Sequence, residues 1–161
     1  SQAGAYGPLP TKGRAFISVA NRDKRSMIFP ARELVNHGFE LMATSGTAEV
    51  LRRNGINATI VRKLSEGEGP GGEKTIVQLI HDGQVDLIVN TPSHCGSSNA
   101  GGDGHLLRAA AVARAVPCLT TVRALAAAVQ AIDALHHAET GVRSLQETVA
   151  PLTGRSRRPA A

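Results

Sequence analysis

"FELMATSGTAEVLRRNG" (residues 39–55) sets a five-residue apolar run, a Thr-Ser-Gly-Thr turn and a helix-forming stretch in direct succession. "FELMA" (39–43) has the length of a strand, and "TAEVLRRNG" (47–55) reads as a short helix stopped by Asn54-Gly55. Small polar residues at such a junction suggest backbone amides and hydroxyls gathered around an anion.

The same order recurs on both sides. Upstream, "RAFISVA" (14–20) is a strand candidate, and "DKRSMIFPARELVNHG" (23–38) carries Ile28, Ala31, Leu34 and Val35 at helical spacing. Gly38 stops that helix, and Pro30 either starts its regular part or kinks it. Downstream, "NATIVRK" (57–63) reads as a third strand, "SEGEGPGGE" (65–73) as a glycine-rich loop, and "KTIVQLIHDG" (74–83) as a helix. "VDLIVN" (85–90) is continuously apolar, as a central parallel strand buried on both faces must be. A polar loop, "TPSHCGSSNAGG", runs to Asp103 before the helix "GHLLRAAAVARA", the strand "VPCLT" (116–120) and the helix "VRALAAAVQAIDALHH" (122–137). Five strands alternating with helices predict an α/β fold: an open parallel sheet with helices on both faces. Residues 1–12 read as a linker, 13–149 as one domain and 150–161 as a disordered tail. The chain begins with Ser rather than Met, consistent with a segment of a larger polypeptide or with processing.

Composition narrows the function. The 161 residues are 42% hydrophobic but only 2% aromatic, so the core must be built from Ala, Val, Leu and Ile. The net charge is +5, with Arg155, Arg157 and Arg158 concentrated in the tail. A nucleic-acid surface would interleave basic residues with stacking aromatics, and only Tyr6, Phe16, Phe29 and Phe39 are present, so no nucleic-acid partner is expected. No apolar stretch reaches membrane-spanning length. Cys95 and Cys118 lack ligand spacing, which suits a reduced cytoplasmic setting without a metal; Cys118 reads as a core filler. His94 and His105 flank the long loop without metal-ligand spacing to Cys95, while His37, His81, His136 and His137 read as solvated.

Ligands on open parallel sheets bind beyond the carboxyl ends of the strands. Those ends deliver Ser18, Asn21 and Lys24; Thr44, Ser45, Gly46 and Thr47; Lys63 and Ser65; and Asn90 and Thr91. The nearby acids are Glu66, Glu68, Glu73 and Asp103. A helix amino end attracts phosphate, Thr hydroxyls add donors, Gly46 permits close backbone approach, and lysines add charge. The competing reading is that Thr44 and Thr47 only cap the helix.

"FISVANRDK", "GFELMATSGTAEVLRRNGI", "VRKLSEG", "DLIVNT" and "DGHLLRAAAVARAVPCLTT" together resemble the carboxyl-terminal regulatory domain of the carbamoyl-phosphate synthase large chain, over about residues 13–148. The resemblance implies a methylglyoxal-synthase-like three-layer sandwich, a five-stranded parallel sheet flanked by helices. It implies a domain that catalyses nothing and has no cofactor of its own. Such domains bind effectors that tune carbamoyl phosphate formation from glutamine, bicarbonate and two ATP molecules, for pyrimidine and arginine biosynthesis. UMP inhibits, and IMP and ornithine activate, in many bacterial members. The implied partners are the ATP-grasp domains of the same chain, which use ATP with Mg or Mn, and a glutaminase small chain.

By the same resemblance, Lys24, Thr44, Ser45, Gly46, Thr47 and Lys63 hold the effector phosphate, Ser18, Asn90 and Thr91 the nucleoside, and Thr120 belongs to an ornithine site at an interface. Ser45 stands where some relatives have His, and Pro92 replaces a commonly seen Thr. A methylglyoxal-synthase-type lyase acting on dihydroxyacetone phosphate is the alternative, with Glu73 of "PGGEK" near the position of its base. Glu is a methylene longer than the family's Asp there, His105 follows Asp103 instead of preceding it, and Glu73 is expected to start the following helix.

Overall fold

The computed structural model describes residues 9–92 and 100–156. Five strands and five helices alternate along it: β1 (Gly13–Ser18), α1 (Ile28–Asn36), β2 (Phe39–Ala43), α2 (Ser45–Arg53), β3 (Thr59–Ile60), α3 (Ile76–His81), β4 (Leu87–Asn90), α4 (Ala100–Ala113), β5 (Cys118–Leu119) and α5 (Val122–Ser156). The strands form one sheet in the order β3-β2-β1-β4-β5, every neighbouring pair parallel. This is the expected α/β architecture.

Alternation along each central strand sends side chains to opposite faces and so builds two cores. Ala15 and Ile17 of β1, Leu41 and Ala43 of β2, and Leu87 and Val89 of β4 pack with Leu34 of α1, Leu51 of α2 and Leu125 and Ile132 of α5. On the other face, Phe16, Met42 and Ile88 pack with Ile76 and Ile80 of α3 and Leu107 and Ala111 of α4. Three layers result. Phe16 and Phe39 are buried, while the small Ala residues let helices sit close to the sheet.

Element ends depart from the sequence reading where a strand has a neighbour on one side only. β3 keeps two residues of the expected seven, both exposed, and β5 keeps two of the expected five. Past β3, the chain continues as a single parallel bridge from Arg62 to Thr75. Pro117 has no N–H to give a ladder, and its carbonyl accepts from the Ile88 amide instead. Pro30 is the third residue of α1, within the first turn, whose amides lack partners in any case. Residues 21–23 form a separate 3-10 turn rather than joining α1. α4 starts at Ala100, ahead of the expected 104, and α5 continues past His137 to Ser156, into the stretch read as a tail. Residues 1–8 of the expected linker, residues 93–99 of the polar loop with His94 and Cys95, and residues 157–161 lie outside the described residues.

The histidines need a correction. The His37 side chain is only 13% exposed and its ring stacks on His136 with centroids 5.0 Å apart. Its Nε2 lies 3.4 Å from Asp133 Oδ1, close enough for an ion pair but not aligned as a hydrogen bond. His136 Nε2 donates to the Thr11 carbonyl at 2.9 Å, which fastens the start of the chain to α5. These partners lie about a hundred residues apart in sequence, so no local pattern announces them.

Candidate functional site

The sheet order makes one edge special. From β1 the chain moves outward to β2 and β3, then returns to lay β4 on the other side of β1. The crevice between the carboxyl ends of β1 and β4 is therefore the switch point at which such sheets hold ligands. Ser18 and Asn90 face each other there in register.

α2 starts one residue past β2, and its amino end faces this crevice. Thr44 occupies the N-cap position with extended backbone, φ −66° and ψ 158°, yet its side chain makes no capping hydrogen bond. Its hydroxyl instead donates to Ser18 Oγ at 3.3 Å, and lies 3.5 Å from Thr47 Oγ1. Thr47 Oγ1 accepts the Val19 amide at 3.3 Å, across the β1 crossover. Both threonines are buried. The hydroxyls are committed to fixing the β1 loop against α2. The amides of Ser45, Gly46 and Thr47 then find no protein acceptor among the described residues, the first bond of the turn being Ala48 N–H to Thr44 carbonyl at 2.8 Å. Partners for such amides come from outside the helix.

Lys24 supplies charge to that turn. A Cβ placed on Gly46 would lie 2.9 Å from Lys24 Nζ, so the ammonium rests over the glycine in space that a side chain there would take. Ser45 beside it is exposed. Thr91 on the other wall is buried, its hydroxyl accepting the Ala20 amide at 2.8 Å and its amide donating to the Ser18 carbonyl at 3.1 Å. Its hydroxyl thus braces the loop that carries Lys24. Arg22, which the sequence did not single out, donates to the Pro92 carbonyl at 2.7 Å and ties the two crevice walls together.

The structure therefore draws Ser18, Lys24, Thr44, Gly46, Thr47, Asn90 and Thr91 into one edge. Lys63 lies beyond the end of β3, exposed, and among the described residues its side chain makes no hydrogen bond or ion pair with that group; its amide donates to Glu66 Oε2 at 2.9 Å. Thr120 is exposed beyond β5, three strands away from α2's strand. Glu73 does not start α3, which begins at Ile76 behind Thr75. Its carboxylate folds back over the glycine loop and accepts the Gly71 amide at 3.0 Å. At the opposite edge of the sheet, a cavity of about 360 Å³ is lined by Arg14, Glu40, Gln84 and Asp86. Arg14 already donates to Glu40 and Gln84 there, and its amide to Asp86.

Comparison with known proteins bears on the fold and the family. A family model described as the MGS-like domain matches residues 26–120. The carbamoyl phosphate synthase large chain of Streptomyces avermitilis is 81% identical over 153 residues, covering 95% of this chain and 14% of that protein. The protein of the same name from Streptomyces coelicolor is 81% identical over 150 residues, covering 93% and 13%. That of Pseudarthrobacter chlorophenolicus is 53% identical over 161 residues, covering 100% and 14%. The chain spans about a seventh of the length of these relatives. Among the described residues no helix is long and apolar enough to cross a membrane.

Proposed function

The chain belongs to the MGS-like domain family, and from that premise we propose that it is the nucleotide-binding regulatory domain of a carbamoyl-phosphate synthase large chain. The phosphate of a nucleoside monophosphate is held on the open amino end of α2, under Lys24, with Lys63 from beyond β3 as the second cation. The ribose and base extend past Ser18 to Asn90, two strand spacings or about 10 Å from Thr44. The observation that carries the reading is the first turn of α2, whose threonine cap leaves the amides of residues 45–47 without an acceptor.

The forces suit this role. An anion at a helix amino end gains both hydrogen bonds and the helix dipole. Each charge-assisted hydrogen bond contributes about 1.5–3 kcal/mol, so several of them reach micromolar affinity for a phosphomonoester. Glu73, the base that a lyase would need, is turned into its own loop. A site of donors and cations reads a ligand rather than transforms it. UMP as inhibitor and IMP as activator fit the site's donors, and ornithine would bind apart from them, at Thr120. The activity tuned is carbamoyl phosphate formation by the ATP-grasp domains of the parent chain, using ATP with Mg or Mn and ammonia from a glutaminase small chain, in the cytoplasm. The regulatory shift equals the effector's differential affinity for two states of the synthetase, typically about 1–3 kcal/mol.

Calorimetric titration with UMP and with IMP tests this. Saturable binding is expected, at least tenfold weaker in Lys63→Ala, as loss of one charged contact of about 1.4 kcal/mol or more implies. Absence of binding at millimolar nucleotide, with circular dichroism showing an intact fold, would sink the reading. Release of inorganic phosphate from dihydroxyacetone phosphate, abolished in Glu73→Gln, would replace it with the lyase.

A further inference from the structure

Beyond Asn90 the crevice is bounded by α4, whose Arg108 takes no part in the phosphate site. Side chains on a helix lean toward its amino end, and Arg108 accordingly folds back over Gly104, one turn earlier. A Cβ placed on Gly104 would lie 3.6 Å from Arg108 Nη1 and 3.7 Å from Asn90 Nδ2. The guanidinium and the Asn90 amide therefore both come within van der Waals distance of one point beside Gly104.

Arg108 is also uncommitted. It shares this with Arg25, Arg114 and Arg123, whereas Arg14, Arg22, Arg32, Arg52, Arg53 and Arg62 each donate to an acceptor of the protein; what sets Arg108 apart is its place beside Asn90. Arg108 is exposed and makes no hydrogen bond or ion pair among the described residues. Cys118 of β5 provides no counter-ion, since burial pushes its thiol up by more than the Arg108 charge pulls it down. An unspent guanidinium beside the nucleoside end of a crevice offers five donors in a planar fork and no acceptor.

We propose that Arg108 is a specificity-determining residue that reads the base of the bound nucleotide, selecting bases with a carbonyl oxygen at that edge over their amino-bearing counterparts. A carbonyl oxygen accepts from the fork, whereas an exocyclic amino group presents hydrogens to a cation that has only hydrogens to offer. The inference rests on the nucleotide reading above, and places the discrimination on α4 rather than on the phosphate cradle of α2.

The test is competition binding on the 161-residue chain, with UMP against CMP and IMP against AMP, each also compared with ribose 5-phosphate. Arg108→Met keeps most of the apolar stem and removes the fork. In the wild type the keto nucleotide of each pair is expected to bind about tenfold tighter, the worth of one hydrogen bond to a charged group. In Arg108→Met that preference should collapse to within about twofold, with ribose 5-phosphate affinity unchanged. Arg108→Lys should restore little of it, because a point charge lacks the fork. If the wild type binds no nucleotide, the regulatory reading fails and this inference falls with it. If it binds nucleotides but shows no keto preference, or keeps the preference in Arg108→Met, the role of Arg108 alone is overturned. Equal losses for UMP and ribose 5-phosphate would also overturn it, marking Arg108 as a general source of charge.

Discussion

Two helices here start on a buried threonine in the same extended conformation and finish their first turns in opposite ways. At α3, Thr75 sits at φ −75° and ψ 165°; its hydroxyl accepts the Gln78 amide, and Gln78 Oε1 accepts the Thr75 amide at 2.7 Å. The turn is closed upon itself. At α2, Thr44 sits at φ −66° and ψ 158°, and its hydroxyl turns away to Ser18. The third residue of each turn decides the difference. Gln78 is long enough to reach back to the N-cap amide, whereas Thr47 is short and already accepts from Val19. A threonine cap thus serves the helix where the turn stands alone, and leaves it open where three crossovers meet at the sheet's switch point.

The sharpest way to break this comparison is to remove the hydroxyl that holds α2 to the β1 loop. Thr47 is 1% exposed, and Val keeps its shape while leaving the Val19 amide without an acceptor. A buried donor abandoned in this way costs about 1–3 kcal/mol. Urea unfolding of Thr47→Val should report a loss of that size. UMP affinity should fall as well, since the loosened loop carries Lys24. A neutral substitution would show that the hydroxyl holds nothing.

A direct exchange of roles comes next in size. Thr75→Ala opens the closed turn of α3 and is expected to cost about 1 kcal/mol of stability with no change in nucleotide binding. Thr44→Ala removes a side chain that caps nothing. It should cost less than half as much stability while weakening UMP several-fold, because the Ser18 and Thr47 hydroxyls lose the link between them. Matched thermal unfolding and titration of the two variants check this. Equal stability losses would mean that Thr44 caps α2 after all.

Much of this was legible beforehand, for identifiable reasons. The alternation of "FELMA", "VDLIVN" and their neighbouring helices foretold three layers, because residues buried on two faces must be apolar throughout. β3 and β5 were overdrawn because apolar character persists past the point where an edge strand has a partner. The residue types around the crevice were readable from their places after the strands. Their division of labour was not. Thr44, Thr47 and Thr91 look alike in sequence, and only their partners, Ser18, Val19 and Ala20, 26 to 71 residues away, separate an open turn from its braces. Arg108 was passed over because Asn90 and Gly104, which give it meaning, meet only in the fold.

The smallest effect divides stability from binding by sign. Gly46 is the second residue of α2, and alanine there is the better helix former, by up to about 1 kcal/mol in a helix interior and less in a first turn. Its Cβ would come 2.9 Å from Lys24 Nζ, so something must move. The tip of a lysine moves readily, since its four-carbon stem is flexible and the ammonium has water to turn to. Gly46→Ala should therefore leave the melting temperature unchanged or slightly raised. The ammonium, however, is pushed off the turn whose amides it completes, and UMP affinity should fall several-fold. A stability loss with binding intact would mean that Gly46 serves the chain's own packing. The opposite pair of signs would mean that α2, unlike α3, keeps its first turn for a ligand.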